Sequence, residues 1–389
     1  MIVLGLISGT SVDAVDVAAA ELGWDGDVIA LRPLGHAERP WPEAVRARLL
    51  AALPPAPCSA EELCQLDALA GEAFADAAAW GNAHLASGRA ALVASHGQTV
   101  FHWVEDGRAR GTLQLGQPAI VAERTGLPVI SDFRARDVAA GGHGAPLAST
   151  LDALWLAGEG APRAALNLGG IANVTLVGRA GEPVLAFDTG PANCLMDAAV
   201  LAATGQPRDE GGALALAGTV REVLLARLLA DPYYALPPPK STGRERFRTG
   251  YVTRHLAGLP AIALRDLVAT LAELTAVTIA DACRAYGVAE VVASGGGTRN
   301  PALMARLATH LDPIPLETSE ERGLPTDGKE AYLFALLGFL TWHGVPGVVP
   351  GATGSRVPRV LGRISPGDGP LVLPAPQEAP SGLRIVAGR

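Results

Sequence analysis

At 389 residues, with 49% hydrophobic and 18% charged side chains, the chain is long enough for two ordinary cores and too apolar to be disordered. A net charge of -8 leaves no basic footprint for nucleic acid or an anionic membrane, so any bound polyanion must be held by local groups. Cys58, Cys64, Cys194 and Cys283 form no CxxC pair and stand at no metal-ligand spacing from a histidine, which predicts reduced core thiols. No basic leader precedes the first apolar run, and no run reaches the roughly 18 residues of a membrane span, so a cytoplasmic protein is expected.

The chain opens with the apolar run Ile2 to Ile7, which reads as a buried strand. It runs into Ser8-Gly9-Thr10-Ser11-Val12-Asp13, a turn offering open backbone amides, two hydroxyls and a carboxylate. Such groups suit a polyphosphate and a magnesium ion that keeps most of its water; a plain turn is the alternative. The turn lacks the Lys of a Walker loop, and Val15 to Leu22 reads as a second strand, so the turn closes a hairpin and opens no phosphate-binding helix.

Val28 to Leu31 reads as a third strand. Helices are predicted over Pro42 to Leu53 and from Ser59, where Ser59 and Glu62 form a capping box ahead of Leu63, Leu66, Ala70 and Phe74. Strands follow at Ala91 to Ala94 and Pro128 to Ser131, separated by a helix from Pro118 to Gly126. The pattern then repeats. Ala164 to Gly170, Asn173 to Val177 and Pro183 to Phe187 form a second three-strand run, again with a glycine-containing hairpin, Gly169 to Asn173. A helix with Leu267, Leu271, Leu274 and Val277 on one face follows, then the strand Glu290 to Ala293 and the turn Ser294-Gly295-Gly296-Gly297. A duplicated β-meander plus αβ unit is an α/β layout suited to holding a nucleotide between two related lobes. The expected domains are 1–160 and 161–365, with a Pro/Gly-rich tail over 366–389 outside the core.

Five further stretches carry polar groups that a scaffold does not need. They are Ser95-His96-Gly97-Gln98-Thr99; Asp132-Phe133-Arg134 with Asp137 and Gly141 to Pro146; Phe187-Asp188-Thr189-Gly190-Pro191-Ala192-Asn193; Lys240-Ser241-Thr242-Gly243-Arg244-Glu245; and Ser294 to Asn300. Each is read as following a strand or lying in a loop. With Ser8 to Asp16, these stretches resemble the anhydro-N-acetylmuramic acid kinases over about residues 1–365.

The resemblance implies two RNase-H-like lobes of the acetate and sugar kinase, Hsp70 and actin superfamily, closing on ATP and Mg2+. It implies a homodimer, and a reaction in which a 1,6-anhydro sugar from peptidoglycan is opened by water and phosphorylated on the freed 6-oxygen. It assigns Asp188 as general base and Glu330 as a second active-site carboxylate. Thr10, His96, Gln98 and Arg134 are substrate-binding residues on this reading. Gly9, Thr10, Ser11, Val12, Asp13, Ala14, Val15 and Asp16, with Gly169, Gly170, Asn173, Gly295, Gly296 and Gly297, are expected at the nucleotide, and Asp13 at magnesium through water. Ala14, His143 and Ala192 depart from the family's usual Gly, Gln and Gly.

Structural alternatives stand beside these roles. These are a helix N-cap for Asp188, a first-turn partner of a helix dipole for Glu330, and a salt bridge to Asp132 or Asp137 for Arg134. Competing activities are an ordinary hexose kinase, an actin- or Hsp70-like ATPase, and an ATP-independent glycosidase using Asp188 and Glu330.

Overall fold

The computed structural model describes residues 1–9, 11–180, 182–238, 240–243 and 246–386. The chain forms two compact units, one of Met1–Trp155 with Gly323–Arg389 and one of Leu156–Arg322.

In the first unit the strands are β1 (Ile2–Ser8), β2 (Ala14–Asp25), β3 (Val28–Pro40), β4 (Ala90–Glu105), β5 (Arg108–Leu115) and β6 (Val129–Ser131). In the second they are β7 (Arg163–Leu168), β8 (Ile171–Val177), β9 (Leu185–Pro191), β10 (Glu290–Ser294) and β11 (Leu316–Thr318). The returning chain adds β12 (Arg363–Ser365) and β13 (Gly382–Ile385) to the first unit.

The duplication expected from sequence is visible in strand order. The first sheet contains β3-β2-β1-β4-β6, and the second is β9-β8-β7-β10-β11. In each, an antiparallel three-strand meander is extended by two strands parallel to its first member. This is the RNase-H-like arrangement, formed twice.

β1 is apolar from Ile2 to Ile7 because its sheet is covered on both faces. Val3 and Ile7 belong to the core shared with the helix Lys329–Trp342. Ile2, Leu4 and Leu6 face the core of the helix Ala60–His84. Ser59 caps that helix by accepting from the Glu62 amide at 3.0 Å. Only half of the predicted capping box forms, because the Glu62 carboxylate takes both guanidinium arms of Arg48 at 2.9 and 2.8 Å instead.

Several expectations are corrected. The strand predicted at 91–94 continues to Glu105 and turns into β5 through Asp106-Gly107, both at positive φ, an Asp-Gly hairpin signal that the sequence reading passed over. Ser95 to Thr99 therefore lies inside β4, not in a loop. Asp188 and Asn173 likewise sit within paired strands, directly opposite each other in β9 and β8. The 366–389 tail is not outside the core: β13 runs parallel to β3, and Leu383 is buried in the first unit. The second unit also ends at 322, short of 365, because the helix Lys329–Trp342 packs on the first unit's sheet. Of the four free thiols, Cys194 and Cys283 are in the core, whereas Cys64 is exposed and Cys58 half-buried. No helix among the described residues is long and apolar enough to cross a membrane.

Candidate active site

In the first unit β1, β4 and β6 are parallel, so the segments leaving their C-terminal ends gather at one edge of the sheet. Ligands bind at such edges in α/β sheets. The β1–β2 turn is drawn tight by a Val12 amide to Gly9 carbonyl bond of 3.1 Å, with Val12 at a φ of 55°. A β-branched residue resists that conformation, so the turn needs external support. Arg46 supplies it, donating to the Val12 carbonyl at 2.7 Å and to Asp13 at 3.1 Å. Gln98 adds a bond from its amide nitrogen to the Gly9 carbonyl at 3.2 Å. Gly9, Ser11, Asp13, Ala14, Val15 and Asp16 thus share one hairpin, while Thr10 lies outside the described residues.

Glycine is required at position 97, where the φ is 76° and an added Cβ would stand 2.5 Å from the Leu115 carbonyl. The kink it allows lies between Ser95, His96 and Gln98, all buried. His96 stacks on Phe334 at 4.4 Å between ring centroids. Burial, and then the nearby Arg134 charge, push His96 well below its usual range, so it is neutral. Ser95 Oγ, His96 Nδ1, Gln98 Oε1, His102 Nδ1 and Arg134 Nε are buried without hydrogen-bond partners among the described residues. Five orphaned polar atoms on neighbouring elements are costly to a scaffold and are the groups a polar ligand would satisfy.

Arg134 follows β6 at the start of the helix Ala135–Ala139. It is not the salt bridge of the structural alternative. Asp132 pairs with Arg363 at 2.8 Å, and Asp137 accepts from the Gly144 amide at 2.7 Å and from Thr353 Oγ at 2.9 Å. Asp137 thereby fixes the loop bearing His143. Burial lowers Arg134, opposed by the charge of Glu330.

Glu330 lies in the first turn of the helix Lys329–Trp342, crowded by protein yet open to solvent. Burial raises its carboxyl, partly offset by Arg134 and Lys329. Lys329 at a helix N-terminus opposes the helix dipole, and its ion pair with the buried Asp152 at 2.7 Å holds it there. Asp16 stands directly opposite Glu38 across β2 and β3. Burial and the charges of Glu38, Glu330 and Asp327 raise Asp16 to about 7. Sequence reading missed Glu38 and Arg46; only the hairpin register and the tertiary packing single them out.

In the second unit the ends of β7, β9 and β10 share an edge in the same way. The β7–β8 turn is reduced to Gly169-Gly170, whose carbonyls accept from the Asn193 and Ala192 amides at 3.1 and 2.9 Å. Gly295 has a φ of 87°, and a Cβ on Gly297 would meet that of Leu168 at 2.7 Å. The glycines at 295 and 297 therefore also serve the close approach of β7 to β10. Asp188 does not cap the following helix, whose N-cap is Ala192. Its Oδ2 accepts from the Thr242 amide at 2.8 Å.

A model of the anhydro-N-acetylmuramic acid kinase family matches residues 1–367. The chain belongs to that family. An anhydro-N-acetylmuramic acid kinase of Streptomyces coelicolor is 55% identical over the full length of both chains, and one of Rhodococcus erythropolis is 52% identical, again over both full lengths. One from Gloeobacter violaceus is 45% identical over 93% of this chain and 98% of its own.

Proposed function

We propose that the chain opens 1,6-anhydro-N-acetylmuramic acid with water and phosphorylates its 6-oxygen, giving N-acetylmuramic acid 6-phosphate in cell-wall recycling. The observation that carries this reading is the family match over residues 1–367, supported by the two like sheets whose strands carry its motifs. The reading includes a cytoplasmic homodimer, by analogy with the family.

An anhydro sugar has no free 6-hydroxyl, so transfer must be coupled to cleavage at the anomeric carbon by an activated water. Asp188 accepts that water's proton on this reading. Its carboxylate accepts from the Thr242 amide, which fixes the direction in which its oxygens point. Arg134 binds the sugar's lactyl carboxylate through its planar fork, and Glu330 orders the sugar and water beside it. Neutral His96 and Gln98 complete the polar lining with their unfilled atoms.

The β1–β2 turn suits the nucleotide phosphates. Its Asp13 side chain is 70% exposed and pairs through one oxygen with Arg46, leaving room for a hydrated magnesium ion. No cluster of three or more metal-ligating side chains exists among the described residues. Magnesium-ATP supplies the phosphoryl group and neutralises charge that develops during transfer. The glycines of 169–170 and 295–297 allow the base and ribose to approach the backbone.

The deciding assay supplies ATP, the anhydro sugar and 18O-water. Label at the anomeric carbon of a 6-phosphorylated product is expected. Faster phosphorylation of the free sugar without label would assign an ordinary sugar kinase, and turnover without ATP a glycosidase. Asp188→Asn should bind nucleotide normally and lose roughly 100- to 10,000-fold in turnover.

A further inference from the structure

The motif from Lys240 to Glu245 has no task in the reaction outlined above, although it reaches Asp188 directly. The Asp188 amide donates to the Lys240 carbonyl at 3.0 Å. The Asp188 carbonyl accepts from Tyr233 Oη at 2.8 Å, and the Asp188 carboxylate accepts from the Thr242 amide at 2.8 Å. Backbone and side chain of this one residue are therefore gripped by a single segment, 233–242. We propose that Lys240 and Tyr233 are positioning residues that hold this segment closed and so aim the Asp188 carboxylate. The inference rests on Asp188 being the base.

The segment is an excursion between helices, rich in proline at Pro237 and Pro238, and its backbone bonds to β9 through Lys240. What closes it is the Lys240 ammonium, which donates to the carbonyls of Tyr233 and Tyr234 at 3.2 Å each. The same ammonium lies 4.8 Å from the centre of the Tyr233 ring, a cation–π contact. Lys240 thus joins the two ends of the segment: its carbonyl holds Asp188, and its side chain holds the residue whose hydroxyl also holds Asp188.

Tyr233 is 3% exposed, and its amide donates to Asp231 at 2.8 Å. Asp231 is in turn paired with Arg246, whose guanidinium covers the other contact region of the Tyr233 ring at 5.4 Å. Burial and the charge of Asp188 push the Tyr233 phenol up, so it remains a hydrogen-bond donor at any working pH. Among the described residues, the charged groups around the clasp are Asp188, Asp231, Lys240 and Arg246.

Small displacements of a reacting group cost up to about 100-fold in rate, and loss of the Thr242 amide bond would disfavour the ionised carboxylate. Lys240→Met keeps the aliphatic stem and removes the ammonium. It is expected to lower kcat about 10- to 100-fold, to leave the nucleotide Kd within about twofold, and to move the acid limb of the kcat/KM profile to higher pH. Tyr233→Phe keeps the ring and should show the same changes to a smaller extent; Lys240→Arg should recover part of the loss.

Melting curves establish that each variant is folded, and Tyr233→Phe decides the matter if Lys240→Met is not. Folded variants with wild-type kcat and an unmoved acid limb, beside an inactive Asp188→Asn, would overturn the positioning role alone. An active Asp188→Asn would instead overturn the base assignment and the positioning role with it.

Discussion

Asp16 shows how much one residue's setting depends on register. It faces Glu38 directly across an antiparallel pair, where like charges destabilise the ladder. Burial, then Glu38, Glu330 and Asp327, raise its carboxyl from 3.8 to about 7. Between those values the folded state holds a proton that the unfolded chain has released, so this residue's contribution to stability is lost as pH rises through that window. Asp16→Asn should therefore raise the urea midpoint at pH 8 by the equivalent of roughly 1–3 kcal/mol, the figure being reduced for partial exposure, and change little near pH 4. Coincident midpoints at pH 8 would contradict this. The sequence motif gave Asp16 only as an expected neighbour of the nucleotide; the pairing with Glu38 showed that its charge is contested.

Among the elements, the helix Lys329–Trp342 does most to place the first unit's site. It carries Glu330 in its first turn and Phe334, on which His96 stacks, one turn later. It can do so because it lies unusually close to β1. A Cβ on Gly5 would stand 1.9 Å from the Ala331 carbonyl oxygen, inside the helix backbone, and one on Gly338 would meet the Cβ of Ala94 at 2.5 Å. Gly5→Ala should consequently cost about 3 kcal/mol or more and displace Glu330, since overpacking against backbone has no flexible side chain to absorb it. Denaturant unfolding measures the first effect and the KM for the anhydro sugar the second. An alanine variant of wild-type stability would refute the close approach. From sequence, Gly5 is only one small residue in an apolar run, because a helix more than 300 residues away supplies the reason for it.

At the scale of the molecule, the two units differ in how they use the chain. The second is continuous, Leu156–Arg322, with a core of its own that includes Leu166, Phe187, Leu271 and Ile279. The first is assembled from both ends of the chain. A fragment of 156–322 should therefore unfold cooperatively in urea, whereas 1–155 alone should not, since it leaves one face of its sheet, Val3 and Ile7 included, uncovered. Addition of the 323–389 segment in trans or by fusion should restore a cooperative transition; a cooperatively folded 1–155 would show that the returning helix is dispensable.

Hydrophobic run length and glycine-rich turns are local properties, and they sufficed for the duplicated α/β plan and the β1–β2 hairpin; Asp188, Glu330 and Arg134 were singled out by the motifs that carry the family resemblance. The β4–β5 hairpin was legible in its Asp106-Gly107 turn and was overlooked, whereas the docking of β13 and the return of 323–389 to the first unit were decided by long-range pairing, which no local pattern encodes. The same holds for charge. Sequence supplies the ionisable groups, but burial and the identity of their neighbours, Arg134 free of Asp132 and Asp137, Asp16 against Glu38, exist only once distant segments have packed.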